Sequence, residues 1–117
     1  MGDFRRLKAW QLSQAVVCDV YRLTAAWPST ERYGLTSQVR RAAISVPSNL
    51  AEGAGRLTEA EFRRFVRIAR GSNRELLSQL LLSIDLGFST PELAAPVVAA
   101  VEKVGAVLSG LLRSRRP

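Results

Sequence analysis

A chain of 117 residues, 47% of them hydrophobic and 23% charged, has the size and composition of one folded domain, which excludes a disordered segment. Its 17 basic residues outnumber its 10 acidic ones, and the resulting net charge of +7 favours anionic partners such as nucleic acid. Because histidine is absent, the commonest general base and metal ligand is missing, so we expect no enzyme activity, no metal site and no cofactor.

The first predicted helix covers about residues 7–27, where apolar residues recur every three or four positions until Pro28 ends the pattern. Cys18 lies among apolar neighbours, so we expect its thiol to be buried. It is the only cysteine, which excludes an internal disulfide. No uninterrupted apolar run reaches the roughly 18 residues of a membrane span, and the first residues lack a signal-peptide core. We therefore expect a cytoplasmic protein with no membrane contact.

The second predicted helix covers about residues 36–54 and contains Pro47. Apolar residues keep their helical spacing on both sides of this proline, which predicts one kinked helix rather than two helices. We expect Gly53 or Gly55 to end the helix in a left-handed conformation.

A polar band follows the opposite side of this helix, and it consists of Gln38, Arg41, Ser45, Asn49 and Glu52, with Ser48 as the alternative to Asn49. Such a band is either solvated or buried against another helix or subunit. We expect the polar band to fix helix or subunit geometry, and ligand contact is the alternative.

The third predicted helix covers about residues 59–86. Thr58 and Glu61 have the spacing of a capping box at its start, and Gly87 closes it. The fourth covers about residues 91–113, with Thr90 as its N-cap and Pro91 at its first position. No segment alternates with the period of a strand. The pattern predicts an all-α fold, an antiparallel up-down-up-down four-helix bundle formed by residues 1–117 as a single domain.

Arginines provide the candidate nucleic-acid-binding surface, and they are Arg56, Arg63, Arg67, Arg70 and Arg74. The last four are spaced so that they align along one flank of the third helix, and Arg56 lies just before it. The C-terminal Arg113, Arg115 and Arg116 add a basic tail. These charges either contact phosphates without reading base sequence, or they form a solvated face. Only Trp10 and Tyr33 are aromatic residues expected to be available for stacking on bases.

The segment around Leu81 and Leu82 is apolar around most of the helix circumference. A single four-helix bundle does not bury that much of one helix, so we expect an oligomer interface at these two residues. The alternative is a third helix that its own bundle covers completely.

Three segments, WQLSQAVVCDVYRLTAAWP, ERYGLTSQVRRAAISVPSNLAEGAGR and EFRRFVRIARGSNRELLSQLLLSIDLG, carry a family resemblance over about residues 7–88. The chain resembles the four helix bundle proteins encoded in intervening sequences of bacterial 23S ribosomal RNA genes. The resemblance implies an antiparallel four-helix bundle that assembles as a ring-like homopentamer.

The chain also resembles the accessory variability protein of diversity-generating retroelements, a basic pentamer that binds nucleic acid and its reverse transcriptase. Two functions follow as expectations. The first is a non-catalytic homo-oligomer that binds the phosphates of RNA or DNA. The second is a protein-interaction scaffold that docks a partner such as a reverse transcriptase.

Overall fold

The computed structural model describes residues 2–114, which form four α-helices: α1 Lys8–Thr24, α2 Leu35–Ala54, α3 Glu59–Asp85 and α4 Pro91–Ser114. Short 3₁₀ turns at Phe4–Arg6 and Ser29–Glu31 precede α1 and α2, and the described range contains no strand. The predicted all-α four-helix bundle is thus confirmed, although α1 ends three residues earlier than expected. Arg115 and Arg116 of the predicted basic tail, and the ends of the predicted domain, lie outside the described residues.

The four helices pack as a closed ring in an elongated body of 45 × 23 × 19 Å. Each helix contacts the next one in the chain, and α4 returns to contact α1. Contacts between α2 and α3 run in opposite order, because Ser45 meets Ser72 whereas the later Gly53 meets the earlier Phe65. These two helices are therefore antiparallel.

The hydrophobic core follows the axis of the bundle, and every helix contributes side chains spaced three or four residues apart. Full burial of one such side chain stabilises the fold by about 1.5–3 kcal/mol relative to an exposed one. The largest fully buried apolar side chains are Val20, Val39, Val46, Leu50, Phe62, Val66, Leu76, Leu80, Val101, Val104 and Leu108.

Cys18 is exposed, so the expectation of a buried thiol was wrong. The buried residues of α1 include Val16 and Val20, each two positions from Cys18. Two positions along an α-helix correspond to a rotation of about 200°, which places Cys18 on the opposite side. Apolar neighbours in sequence therefore do not imply burial on a helix.

The starts of α3 and α4 agree with their predicted caps. The Thr58 hydroxyl accepts a hydrogen bond from the Glu61 amide at 3.2 Å, and the Thr90 hydroxyl accepts one from the Leu93 amide at 3.2 Å. The Glu61 carboxylate bonds to Arg64 instead of returning to the cap, so only one half of the predicted capping box forms.

Glycines end α2 and α3 differently. Gly87 has a φ of 78° and closes α3, as predicted. The left-handed end expected for α2 is wrong, because Gly55 has a φ of −84° and Gly53 has no positive φ. Gly53 instead permits close packing, since a β-carbon there would lie 2.7 Å from the Phe65 β-carbon. α2 is continuous through Pro47, and the kink stays a prediction.

By length and composition alone, α4 is long and apolar enough to cross a membrane, with a mean hydropathy of 1.6 in its most apolar window. A mostly buried core helix satisfies the same test, whereas 28% of this window is buried inside the bundle. Within this bundle, Val97, Val101, Val104 and Leu108 of α4 are buried in the core.

Candidate nucleic-acid interface

Three of the predicted arginines form an exposed surface on α3. Arg67, Arg70 and Arg74 are exposed, and no hydrogen bond or ion pair engages their side chains within residues 2–114. They are spaced three and four residues apart, so they share one flank of the helix. We call Arg67, Arg70 and Arg74 the arginine stripe. Their guanidinium groups are free to meet a ligand.

Arg63 aligns with the arginine stripe in sequence, but its guanidinium is already occupied. It is half-buried, and its Nη1 donates a hydrogen bond of 2.5 Å to the carbonyl oxygen of Leu112. Leu112 lies in the last turn of α4, where carbonyl groups lack partners within the helix. Arg63 therefore ties α3 to the end of α4.

A groove of 280 Å³ runs beside the arginine stripe, between α3 and α4. Arg70 and Arg74 line it from α3, and Glu102 lines it from α4. The Glu102 carboxylate offsets part of their charge, but it forms no ion pair with either arginine. The groove therefore keeps a positive balance, which is suited to a phosphate.

Asn73 fixes the two walls of this groove relative to each other. Its side chain is 3% exposed, and its Nδ2 donates a hydrogen bond of 3.0 Å to the Val101 carbonyl of α4. The contact depends on a small neighbour, since a β-carbon at Gly105 would lie 3.3 Å from that nitrogen. Asn73 could not be identified from the sequence, because one polar residue within an apolar stripe gives no distinct signal.

Arg56 does not join the arginine stripe. Its Nη2 lies 2.6 Å from Oε1 of Glu52, and its guanidinium lies over the Phe65 ring at 4.9 Å. Arg64 lies over the same ring at 4.6 Å and pairs with Glu61. The hydrogen bond and charge of Arg64 lower the pKa of Glu61 below its ordinary value. Arg56 and Arg64 thus form a separate, neutralised cluster where α2 meets α3.

The polar band of α2 divides into an inner and an outer part. In the inner part, the Ser45 hydroxyl lies 2.8 Å from the Ser72 hydroxyl and links α2 to α3. Nδ2 of Asn49 donates to the carbonyl and the hydroxyl of Ser45, at 2.8 and 3.0 Å. These contacts are local ties between and within helices.

The outer part of the band is solvated. Gln38 and Arg41 are exposed and line a groove of 420 Å³, which Glu75 lines from α3. Glu52 is also exposed, and its partner is Arg56 of the neutralised cluster. The wider role assigned to the polar band, to fix subunit geometry or contact a ligand, stays a prediction.

Leu81 and Leu82 are 46% and 44% exposed. Consecutive helical residues differ in direction by about 100°, so the two side chains belong to adjoining faces of α3. An oligomer interface at these residues stays a prediction.

Among the described residues, no group of histidine, cysteine, aspartate and glutamate could hold a metal ion.

A second basic site, which no pattern in the sequence indicated, lies between the end of α1 and the start of α2. It is a cavity of 480 Å³, and Arg32, Arg40 and Arg41 line it together with Tyr21 and Tyr33. These arginines come from a loop and from adjacent helical positions, so they share no period. Of the aromatic residues expected to be available, Tyr33 is 90% exposed, whereas Trp10 is half-buried against Phe4.

The fold and these surfaces define a small four-helix bundle protein with exposed arginines on two different helix pairs. The model of the 23S rRNA-intervening sequence protein family matches residues 5–110, and the chain belongs to this family. The resemblance to the proteins encoded in intervening sequences of 23S ribosomal RNA genes is thereby confirmed.

A solved structure supports the fold assignment. It is a protein with unknown function from the S23 ribosomal protein family of Bacteroides thetaiotaomicron VPI-5482. The two structures superpose with a TM-score of 0.80 at 17% identity, over 89% of this chain and 97% of that one. At this identity the likeness shows the fold alone. No curated protein matches the chain.

Proposed function

We propose that the protein is a non-catalytic homo-oligomer that binds RNA through phosphate contacts made by the arginine stripe. The supporting observation is that Arg67, Arg70 and Arg74 are exposed on one flank of α3 with no partner in the described chain. They span about 10 Å along the helix, at about 1.5 Å per residue. That length corresponds to about three nucleotides of a strand in a duplex. The family's link to 23S rRNA makes ribosomal RNA the first ligand to test.

The arginine stripe sets the expected salt dependence. Each phosphate contact contributes about 0.7 to the log-log salt slope for a single strand and about 0.9 for a duplex. Three contacts per chain contribute about 2 to 2.7, which corresponds to about a 20- to 40-fold loss of affinity between about 50 and 200 mM salt. Contacts from several subunits would add to this value.

Fluorescence anisotropy tests the proposal, with a structured ribosomal RNA fragment and a duplex DNA titrated across a salt series. The double variant Arg67→Gln with Arg70→Gln should bind weakly, and the salt slope should fall by about 1.4 to 1.8 for each subunit that contacts the RNA, while the oligomer mass stays unchanged. A preference for the RNA over the DNA would support a ribosomal RNA ligand.

The matched control is Arg56→Gln with Arg64→Gln. It removes the same charge from the same region of the chain, but both arginines are already paired with carboxylates. We expect it to bind RNA nearly as well as the wild type. Equal losses in the two double variants would show that total charge, rather than the arginine stripe, drives binding. A collapse of the oligomer in the first would make Arg67 and Arg70 structural.

The oligomeric part of the proposal is supported by the exposure of Leu81 and Leu82. A second copy of the chain that covered them would remove apolar surface from water, at about 25 cal/mol per Å². The ring-like homopentamer, the cytoplasmic location and a reverse transcriptase partner remain predictions. If no RNA or DNA binds at low salt, the scaffold alternative becomes the one to pursue.

A further inference from the structure

We propose that the cavity between α1 and α2 binds the base and phosphate of an unpaired nucleotide. The inference deepens the proposed function by naming a second contact with the nucleic acid, and it rests on that function for the identity of the ligand. Its residues belong to α1, α2 and their connection, whereas the arginine stripe lies on α3. The two sites can therefore be tested separately.

The lining of the cavity has the chemistry that a nucleotide requires. Three arginines line it and no carboxylate does, so the cavity has an uncompensated positive charge. Its volume of 480 Å³ falls within the range of about 300–1,000 Å³ that is typical of small-molecule sites. Of the two tyrosines among the lining residues, Tyr33 offers an open aromatic face, and base stacking on such a face tolerates any base.

Arg40 is held in place before any ligand arrives. Its Nε donates a hydrogen bond of 2.9 Å to the hydroxyl of Thr24, a side chain that is only 3% exposed. Its guanidinium also lies over the Tyr21 ring, 4.4 Å from the centroid. These contacts use Nε and one face, and they leave its two terminal nitrogens without a partner in residues 2–114. A fixed guanidinium with free donors loses little entropy when it binds a phosphate.

Tyr33 supplies the exposed aromatic face. It is 90% exposed in the connection between α1 and α2, so its ring contributes little to the folded core. Arg32 directly precedes Tyr33, and Arg41 directly follows Arg40. Neither arginine side chain has a hydrogen-bond or ion-pair partner in the described chain. A base on Tyr33 would place its phosphate near these arginines.

The test is a titration of the full chain at low salt with fluorescently labelled adenosine monophosphate and a labelled five-nucleotide single strand. Tyr33→Ala should weaken binding of both about tenfold, and Tyr33→Phe should retain it because the ring remains. Arg40→Gln should weaken both probes, while Lys103→Gln, which removes an exposed charge on α4, should weaken neither. Ribose 5-phosphate, which has a phosphate but no base, should compete poorly.

The two probes distinguish the sources of the nucleotide. A strand that binds much more tightly than the mononucleotide would identify an unpaired nucleotide within a nucleic-acid strand as the ligand, and equal affinities would identify a free nucleotide. The variant Arg67→Gln with Arg70→Gln should lose duplex binding and keep mononucleotide binding. If the wild type binds the structured RNA but neither probe, or if Tyr33→Ala leaves both affinities unchanged, the cavity is not a nucleotide site. That result would leave the proposed function of the arginine stripe standing.

Discussion

A glycine at position 53 lets α2 and α3 approach each other more closely than any other residue would allow. A β-carbon there would lie 2.7 Å from the Phe65 β-carbon, and α2 would have to move by about 0.7 Å to reach ordinary contact at 3.4 Å. Gly71, in the middle of α3, offers a matched comparison, because nothing lies within 4 Å of its β-carbon position. The same substitution at the two sites should therefore change stability in opposite directions.

The expected magnitudes follow from two opposing effects. Gly71→Ala should raise the free energy of unfolding by about 0.8–1 kcal/mol, because alanine favours a helix over glycine. At position 53 the same preference for alanine raises the free energy of unfolding by at most this amount, since the residue lies in the last turn of α2. Gly53→Ala also strains the core by about 1–3 kcal/mol, because the β-carbon of the buried Phe65 would lie only 2.7 Å away and must move. The two variants should therefore differ in their free energy of unfolding by about 1–4 kcal/mol, the upper value applying if position 53 gains no helix stability.

Urea unfolding followed by circular dichroism measures this difference, with all proteins at one concentration because any assembly makes stability concentration-dependent. In thermal unfolding, the gap corresponds to about 4 °C for each kcal/mol. Equal stability of Gly53→Ala and Gly71→Ala would refute the reasoning, since the close approach of α2 and α3 would then carry no energetic cost.

Three further predictions concern the groove, the assembly and pH. Asn73→Ala removes the buried hydrogen bond to the Val101 carbonyl and should lower the free energy of unfolding by about 0.5–1.5 kcal/mol; an unchanged urea midpoint would contradict this. Leu81→Asp with Leu82→Asp should yield a smaller species in light scattering, and a variant that keeps its mass would exclude the proposed interface. RNA affinity should stay constant between about pH 6 and 8, because arginine remains charged and the chain has no histidine. A titration midpoint within that range, measured by anisotropy, would indicate that another group contacts the RNA.

The helices could be predicted from the sequence because their signals are local. Apolar periodicity located all four, and hydroxyl caps such as Thr58 and Thr90 marked where α3 and α4 begin. The role of Gly53 could not be predicted in the same way. A glycine near a helix end is equally compatible with a left-handed cap and with close packing, and only the position of Phe65 on α3 decides between them.

The candidate site could be predicted only in part. Helical spacing correctly placed Arg67, Arg70 and Arg74 on one exposed flank. The same spacing also included Arg63, whose partner is a carbonyl 49 residues further along the chain, a contact that no local pattern reports. The cavity between α1 and α2 was missed for a similar reason. Its arginines converge only after two helices and their connection have packed.

The exposed thiol of Cys18 makes the outer surface of α1 accessible to spectroscopy without any substitution. A nitroxide attached to this single cysteine would occur once per subunit, so dipolar distances between labels would give the number and spacing of copies in an assembly. The rate at which the Cys18 thiol reacts with a maleimide would also show where α1 lies in an assembly. A thiol that reacts readily in dissociated chains but slowly in the assembled protein would place α1 between subunits, whereas equal rates would leave this helix on the outside.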